Sequence, residues 1–312
     1  MVPFFVQFKC KLGQSYAVAN ALAEAEIASE IYSTAGDYDL LVKFYVDNDT
    51  DIGHFVNEKV QVIPGIQADL KTFAALGVYG ASVITALTAQ NTQGVSGIHQ
   101  VPAEFVTAQI DAVFSDLTVG TVKIGMVAHP PVIDAIVAGL KRWSPKHVVL
   151  DPVMVATSGD RLLATEAVDA LRTKLIPLAS VITPNLPEAA DLLDEGVAAD
   201  EAAVEKQGRR LLALGCKTVL IKGGHGEGAE SIDYLVDSSG VVALAAPRVA
   251  TKNTHGTGCS LSSAIAAGLA KGEDMETAVR NAKAWVSAAI AAADRFSVGH
   301  GHGPIHHFHK FY

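Results

Sequence analysis

Hydrophobic and polar positions follow two different rhythms along the chain, and the change falls near Pro64-Gly65. Ahead of it the runs are short. Phe4 to Cys10 reads as a strand, and Ser15 to Ala25 has helical spacing with Ser15 as its N-cap. Ser29 to Thr34 and Tyr38 to Val46 read as two strands joined by the turn Ala35-Gly36-Asp37. A second helix is predicted from Asp51 to about Val62, where Pro64-Gly65 stops it. The order β-α-β-β-α describes a small ferredoxin-like α+β unit without its last strand.

Beyond Pro64 continuous apolar runs take over, such as Val148-Val149-Leu150 and Val219-Leu220-Ile221, separated by amphipathic helices and glycine turns. Strands apolar on both faces imply a mostly parallel sheet with helices on either side, an α/β architecture. No internal repeat or low-complexity linker interrupts this pattern.

Composition narrows the picture. Of 312 residues, 49% are hydrophobic and 18% charged, which suits a globular chain and not a disordered one. The net charge of −9 and the lack of a Lys/Arg run give no footprint for nucleic acid. An anionic nucleotide is still admissible, because local backbone amides hold phosphates. Cys10, Cys216 and Cys259 are far apart with no CxxC spacing, which argues against a disulfide framework or structural zinc and for a reducing cytoplasm. No apolar run reaches the roughly 18–20 residues of a membrane span, and the N-terminus lacks the marks of a secretory signal. A soluble cytoplasmic protein is expected. The last residues, HGHGPIHHFHKFY, have the composition of a purification tag, but the interrupted pattern ending in aromatics argues against one.

Candidate chemistry lies in four places. Asn253-Thr254-His255-Gly256-Thr257-Gly258-Cys259 runs into a predicted helix, so free N–H groups converge where the helix dipole favours negative charge. Such a turn suits a transferring phosphoryl group. Cys259 at its mouth is expected to have a lowered thiol pKa and to take a proton from a substrate hydroxyl. The same residues also suit an ordinary glycine turn beside an inert buried cysteine. Leu220-Ile221-Lys222-Gly223-Gly224 is a buried strand ending in Lys and paired glycines, where nucleotide phosphates commonly lie; a plain strand-to-loop turn fits as well. Asp151 closes the strand Val148-Val149-Leu150, a position costly to bury unless a cation is near. Asn185 and Glu188 open a helix at the next strand end, where Glu188 suits either a helix cap or, with Asp151, a magnesium site.

Taken together, GIQADLKTF, SVITALTAQNT, VKIGM, DPVM, SGD, ITPNLPEA, LIKGGH, TKNTHGTGC and the His-rich ending resemble the hydroxymethylpyrimidine/phosphomethylpyrimidine kinases of the ribokinase-like superfamily. The likeness covers residues 65–312, His-rich ending included, and implies a three-layer αβα sandwich. It implies an ATP- and Mg2+-dependent enzyme that phosphorylates 4-amino-5-hydroxymethyl-2-methylpyrimidine and its monophosphate for thiamin synthesis. Cys259 would be the catalytic base, with Gly256, Thr257 and Gly258 as anion hole. Lys222, Gly223, Asn185 and Thr254 would serve ATP, and Asp151 and Glu188 the magnesium. Asp69 and Gln90 would hold the aminopyrimidine, with Met126 and Val153 against its ring. Pyridoxal kinases, some of which carry Cys at the position of Cys259, are the nearest enzymatic alternative.

Residues 1–64, through TAGDYDLLVKFYV and HFVNEKVQVIPGI, resemble the ligand-sensing domain of the Lrp/AsnC regulators without its last strand. That resemblance implies an amino-acid effector near Gly36-Asp37-Tyr38-Asp39 and dimer formation, while DNA binding has no support. Both parent families suggest a homo-oligomer. The kinase family begins with a strand and a loop of the form AGSDSGGGAG directly before GIQADLK, and this chain has neither; its two parts meet at the shared Gly65-Ile66. An unpaired strand edge and a hole in the apolar core are the expected consequences. Leu40 to Val46 would suit the strand position but lacks the glycines of the loop. An enzyme and an effector-binding or oligomerisation module carrying an impaired kinase are therefore the two readings to separate.

Overall fold

A computed structural model describes residues 2–8, 19, 22–23, 29–33, 40–46, 64–92, 94–127, 129–154, 165–225 and 228–311. They belong to two compact units, Met1–Val62 and Ile63–Tyr312. The turn at 35–37, the helix expected over 51–62, and residues 158–160 lie outside the described residues.

In the first unit β1 (Val2–Phe8), β2 (Glu30–Ser33) and β3 (Leu40–Val46) form an antiparallel sheet in the order β1-β3-β2. Val2 lies opposite Val46, and Ile31 opposite Val42. Strand β1 begins two residues before the run read from sequence, with Pro3 inside it at the sheet edge, where proline is tolerated. Both edges of β3 are paired within this unit, so Leu40 to Val46 is not a spare strand for another sheet.

The second unit opens with helix α1 (Pro64–Ala75), followed by the hairpin β4 (Ala86–Asn91) and β5 (Gly94–Gln100). Its main sheet has the order β11-β10-β9-β8-β7-β6. Strands β6 (Thr121–Ile124), β7 (His147–Leu150), β8 (Val181–Ile182) and β9 (Val219–Ile221) are parallel. The antiparallel pair β10 (Glu230–Val236) and β11 (Val241–Pro247) completes the far edge.

The helices between these strands are set by local chemistry. Pro130 begins α3 (Pro130–Trp143), where a missing N–H costs nothing, and Val132, Ile133, Ile136, Val137 and Leu140 make its buried stripe. Helix α5 (Leu186–Leu193) starts with a reciprocal capping box between Asn185 and Glu188. Asp200 caps α6 (Glu201–Leu212) and Asp274 caps α8 (Met275–Ala291).

Alternation along β7 divides the core in two. Val148 and Leu150 pack among α2 (Ala103–Asp116), α3, α4 (Thr165–Ala170), α5 and α6. Val149 points the other way, toward α1, α8 and the buried α7 (Thr257–Ala270). Three layers result, with the C-terminal ends of the parallel strands at one end of the sheet. Among the described residues β6 ends the sheet and pairs with β7 alone.

Candidate active site

Asp151 follows β7 directly and is 1% exposed, so its charge must be answered inside the protein. Its Oδ1 accepts from Lys222 Nζ at 2.7 Å and from Thr183 Oγ1 at 3.0 Å. Those partners stand at the ends of β9 and β8, so three neighbouring strand ends meet at one carboxylate. Burial alone would raise the Asp151 pKa, but Lys222 and then Lys123 hold it below the ordinary value. Lys222 also lies 3.8 Å from Glu188 Oε2, and the two carboxylates keep its ammonium protonated despite burial. Glu188 is raised by burial, and its Oε2 accepts the Asn185 N–H at 2.8 Å.

The start of α7 lies beside this cluster. Gly256 has φ +79°, a left-handed conformation that glycine adopts without strain, and it turns the chain into the helix. The first intrahelical bond is Ser260 N–H to Gly256 O at 2.9 Å. The N–H groups of Gly258 and Cys259 therefore belong to the first turn, which has no helical acceptor of its own. A side chain at Gly258 would stand 3.4 Å from Lys222 Nζ and 3.7 Å from Asp151 Oδ2, which places that turn against the ion pair.

A second ion pair lies close by. Lys123 in β6 donates to both oxygens of Asp69 in α1, at 2.9 and 2.8 Å, and Ser263 in α7 donates to Asp69 at 2.7 Å. Burial raises the Asp69 carboxyl and Lys123 pulls it back; Asp69 in turn holds the buried Lys123 charged.

Cys259 corrects an expectation. Its thiol is pushed up to about 11, not down. Burial is the larger cause. The cations beside it, Lys123 and Lys222, are each neutralised by a carboxylate, and Asp69 and Asp151 oppose their effect.

One cavity of about 1330 Å³ is lined by Cys259, Gly256, Thr257, Gly258, Lys222, Asn185, Thr254, Asp69, Gln90, Met126, Val153, Asp151 and Glu188. Gly223 is outside that lining. Its N–H donates to Asp233 Oδ1 at 2.8 Å, and a Cβ there would overlap the Ile232 carbonyl, so only glycine fits. Sequence reasoning missed Lys123, Thr183, Ser263 and the pair Asp233–Lys283, 2.8 Å apart. A lone Lys in the apolar strand Thr121-Val122-Lys123-Ile124 was a readable signal of a buried partner. Ser263 and Lys283 carry no such signal, because helices admit them anywhere.

Asp151 and Glu188 offer hard oxygens at neighbouring strand ends, a donor set that fits Mg2+ shared with phosphate oxygens. Bound there, the ion would neutralise charge on those phosphates. Among the described residues no group of three or more His, Cys, Asp or Glu forms a metal cage of its own, and no helix is long and apolar enough to cross a membrane.

Comparison with known proteins places this arrangement. Residues 64–306 match the phosphomethylpyrimidine kinase family model, and residues 4–79 match the Lrp/AsnC ligand binding domain. A hydroxymethylpyrimidine/phosphomethylpyrimidine kinase of Rhizobium meliloti is 57% identical over 248 residues, 80% of this chain and 93% of the relative. Its Escherichia coli counterpart is 53% identical over the same shares. Among solved structures, a phosphomethylpyrimidine kinase from Clostridium difficile aligns with TM-score 0.64 and 43% identity, over 73% of this chain and 94% of that one. The ADP complex of Bacillus subtilis pyridoxal kinase aligns with TM-score 0.73 and 32% identity, over 79% and 93%. The fold of the second unit is thus that of the ribokinase-like kinases, and over most of its length the chain belongs to the phosphomethylpyrimidine kinase family.

Proposed function

We propose that the second unit transfers the γ-phosphoryl group of ATP to 4-amino-5-hydroxymethyl-2-methylpyrimidine, and then to the resulting monophosphate, giving the diphosphate used in thiamin assembly. The observation that carries this reading is the meeting of the Asp151–Lys222 pair with the open first turn of α7 at one wall of the cavity. Phosphoryl transfer asks mainly for positioning and for donors aimed at the equatorial oxygens. Lys222 and the N–H groups of Gly258 and Cys259 supply them, with Asp151 and Glu188 as holders of Mg2+. Asp69 and Gln90 are assigned to the aminopyrimidine, Met126 and Val153 to its ring, and Asn185 and Thr254 to the nucleotide. Gly223 supports that nucleotide site from behind.

In the first step the hydroxyl oxygen bonds to the γ-phosphorus, the bond to the β–γ bridging oxygen breaks, ADP leaves, and the hydroxyl proton must go to a base. Cys259, as its thiolate, is the base assigned here; with the thiol raised to about 11 by burial, that thiolate has to form once nucleotide and acceptor are bound. In the second step the nucleophile is a phosphate oxygen, which at neutral pH is already largely deprotonated. The two steps therefore test Cys259 separately. Cys259→Ala should slow the first step by about 10²–10⁴-fold and the second by less than about tenfold. Coupled ADP release with each acceptor measures both. Failure of the wild-type chain to phosphorylate either acceptor, while folded, would overturn the assignment; turnover of pyridoxal alone would move the chain to the vitamin kinase that its structural neighbours represent.

A further inference from the structure

Among the described residues the sheet ends at β6, and the outer edge of β6 lies inside the cavity. Every residue from Leu117 to Val127 lines it. Side chains of a strand alternate between faces, so an unbroken run of lining residues means that the cavity follows the main chain itself. The ladder to β7 shows which groups face it. His147 N–H donates to Gly120 O at 3.3 Å and Asp151 N–H to Ile124 O at 2.8 Å. Even-numbered residues thus turn their amides toward β7, and the N–H and C=O of Thr121 and Lys123 point to the other edge. The buried Thr121 Oγ1 has no hydrogen-bond partner either.

Both faces of this space are walled. Ile110 and Phe114 of α2 and Ile136 of α3 line one side, and Leu70 and Phe73 of α1 with Ala266 of α7 line the other. Hydrogen bonds tie the segment around Ile84 and Thr85 to its neighbours. Ile84 is tied through both backbone groups to the Gln109 amide, and Thr85 Oγ1 donates to Met126 O at 3.2 Å. At about 1330 Å³ the whole exceeds the ~300–1,000 Å³ typical of small-molecule sites. Lys123, the charged residue of β6 itself, is already paired with Asp69 and offers no free charge to an occupant.

We propose that the space along β6 is a strand-acceptor site, taking one extended segment of another polypeptide in parallel with β6. The position continues the established sheet by one strand, covered on both faces, so the occupant must be apolar on both faces and uncharged. An apolar small molecule would leave the row of N–H and C=O groups at Thr121 and Lys123 unanswered; a β-strand answers them. The four residues of β6 set its minimum length. Parallel entry follows the direction of β6 to β9 and brings the segment's C-terminal end out beside Asp69 and Cys259.

The test uses the full chain and a capped, fluorescein-labelled peptide of six alternating Val and Ile residues with terminal lysines for solubility. Saturable binding by anisotropy is expected, with exchange of the Thr121 and Lys123 amides slowed at least about tenfold. Thr121→Pro, at the first residue of β6 and off the β7 ladder, should weaken binding about tenfold. A peptide N-methylated on alternate amides should lose affinity in one of the two methylation registers and keep it in the other, a control that needs no protein variant. Unchanged exchange at Thr121 and Lys123, or equal binding of both N-methylated registers, would reduce the effect to apolar adsorption and overturn the proposal. Turnover enters none of these readouts, so the outcome is independent of the phosphotransfer assignment.

Discussion

The C-terminal ends of β7, β8 and β9 and the free edge of β6 belong to one sheet but solve opposite problems. At the strand ends every charge is met: Asp151 by Lys222 and Thr183, Glu188 by the Asn185 N–H, Asp69 by Lys123 and Ser263. Along β6 the side chains pack, but Thr121 and Lys123 turn main-chain groups toward open space. A polar network of the first kind is stiff, and losing one member harms all the others. An unpaired edge is tolerant of change until something pairs with it. Chemistry and docking are thereby assigned to different parts of one cavity.

The largest effect that separates the two regions is at Lys222. Replacing it with Met leaves Asp151 buried beside Glu188 without its bonded cation, Lys123 being already paired with Asp69, which should cost about 3–5 kcal/mol of stability. Turnover should fall about 10²–10³-fold with it. Adding Asp151→Leu should restore much of the stability, because an apolar pair replaces a buried ionic one, and none of the turnover. Denaturant midpoints and ADP release on the three variants measure this. Recovery of turnover in the double variant would show that the pair is structural only.

A smaller contrast lies within β6 itself. Val122→Pro removes a donor from the β7 ladder and should cost about 1–3 kcal/mol. Thr121→Pro removes one from the free edge and should cost less than about 1 kcal/mol. Thermal melts of the two side by side check the alternation. Equal losses would mean that both edges of β6 are paired.

Much of this was legible in the sequence because periodicity and strand ends are local properties. The runs Val148-Val149-Leu150 and Val219-Leu220-Ile221 are apolar on both faces, and they became β7 and β9, interior strands of the sheet. Asn185 and Glu188, three apart before a helix, became the capping box of α5. Asp151 and Lys222 were singled out because a charge at the end of an apolar strand is costly to bury unpaired, and the Gly256–Cys259 turn because its glycines lead into a helix. What was not legible is pairing across distance. Asp69 was read as a group for a ligand; its pairing with Lys123, 54 residues away, which holds both of its oxygens, was not read with it. The direction of the Cys259 shift failed because it too depends on contacts across distance. The helix dipole is visible in sequence, whereas burial, and the carboxylates that cancel the neighbouring lysines, appear only on folding.

That failure yields the mildest and most direct measurement. The Cys259 thiol is raised from 9.0 to about 11, chiefly by burial, so the neutral thiol is favoured by folding. The sign follows: its contribution to stability is full below pH 9 and is lost as pH rises toward 11. Reactivity runs the other way, because only the thiolate attacks an alkylating reagent. Iodoacetamide labelling of the Cys259 peptide, followed by mass spectrometry, should therefore still be accelerating between pH 9 and 10. Lys222→Met, which removes one of the cations that lower this thiol, should move the profile further up. Asp69→Asn, which removes a carboxylate that raises it, should move the profile down. A plateau reached below pH 9 in the wild-type chain would mean that the α7 N-terminus outweighs burial, and that the thiolate is ready before any substrate arrives.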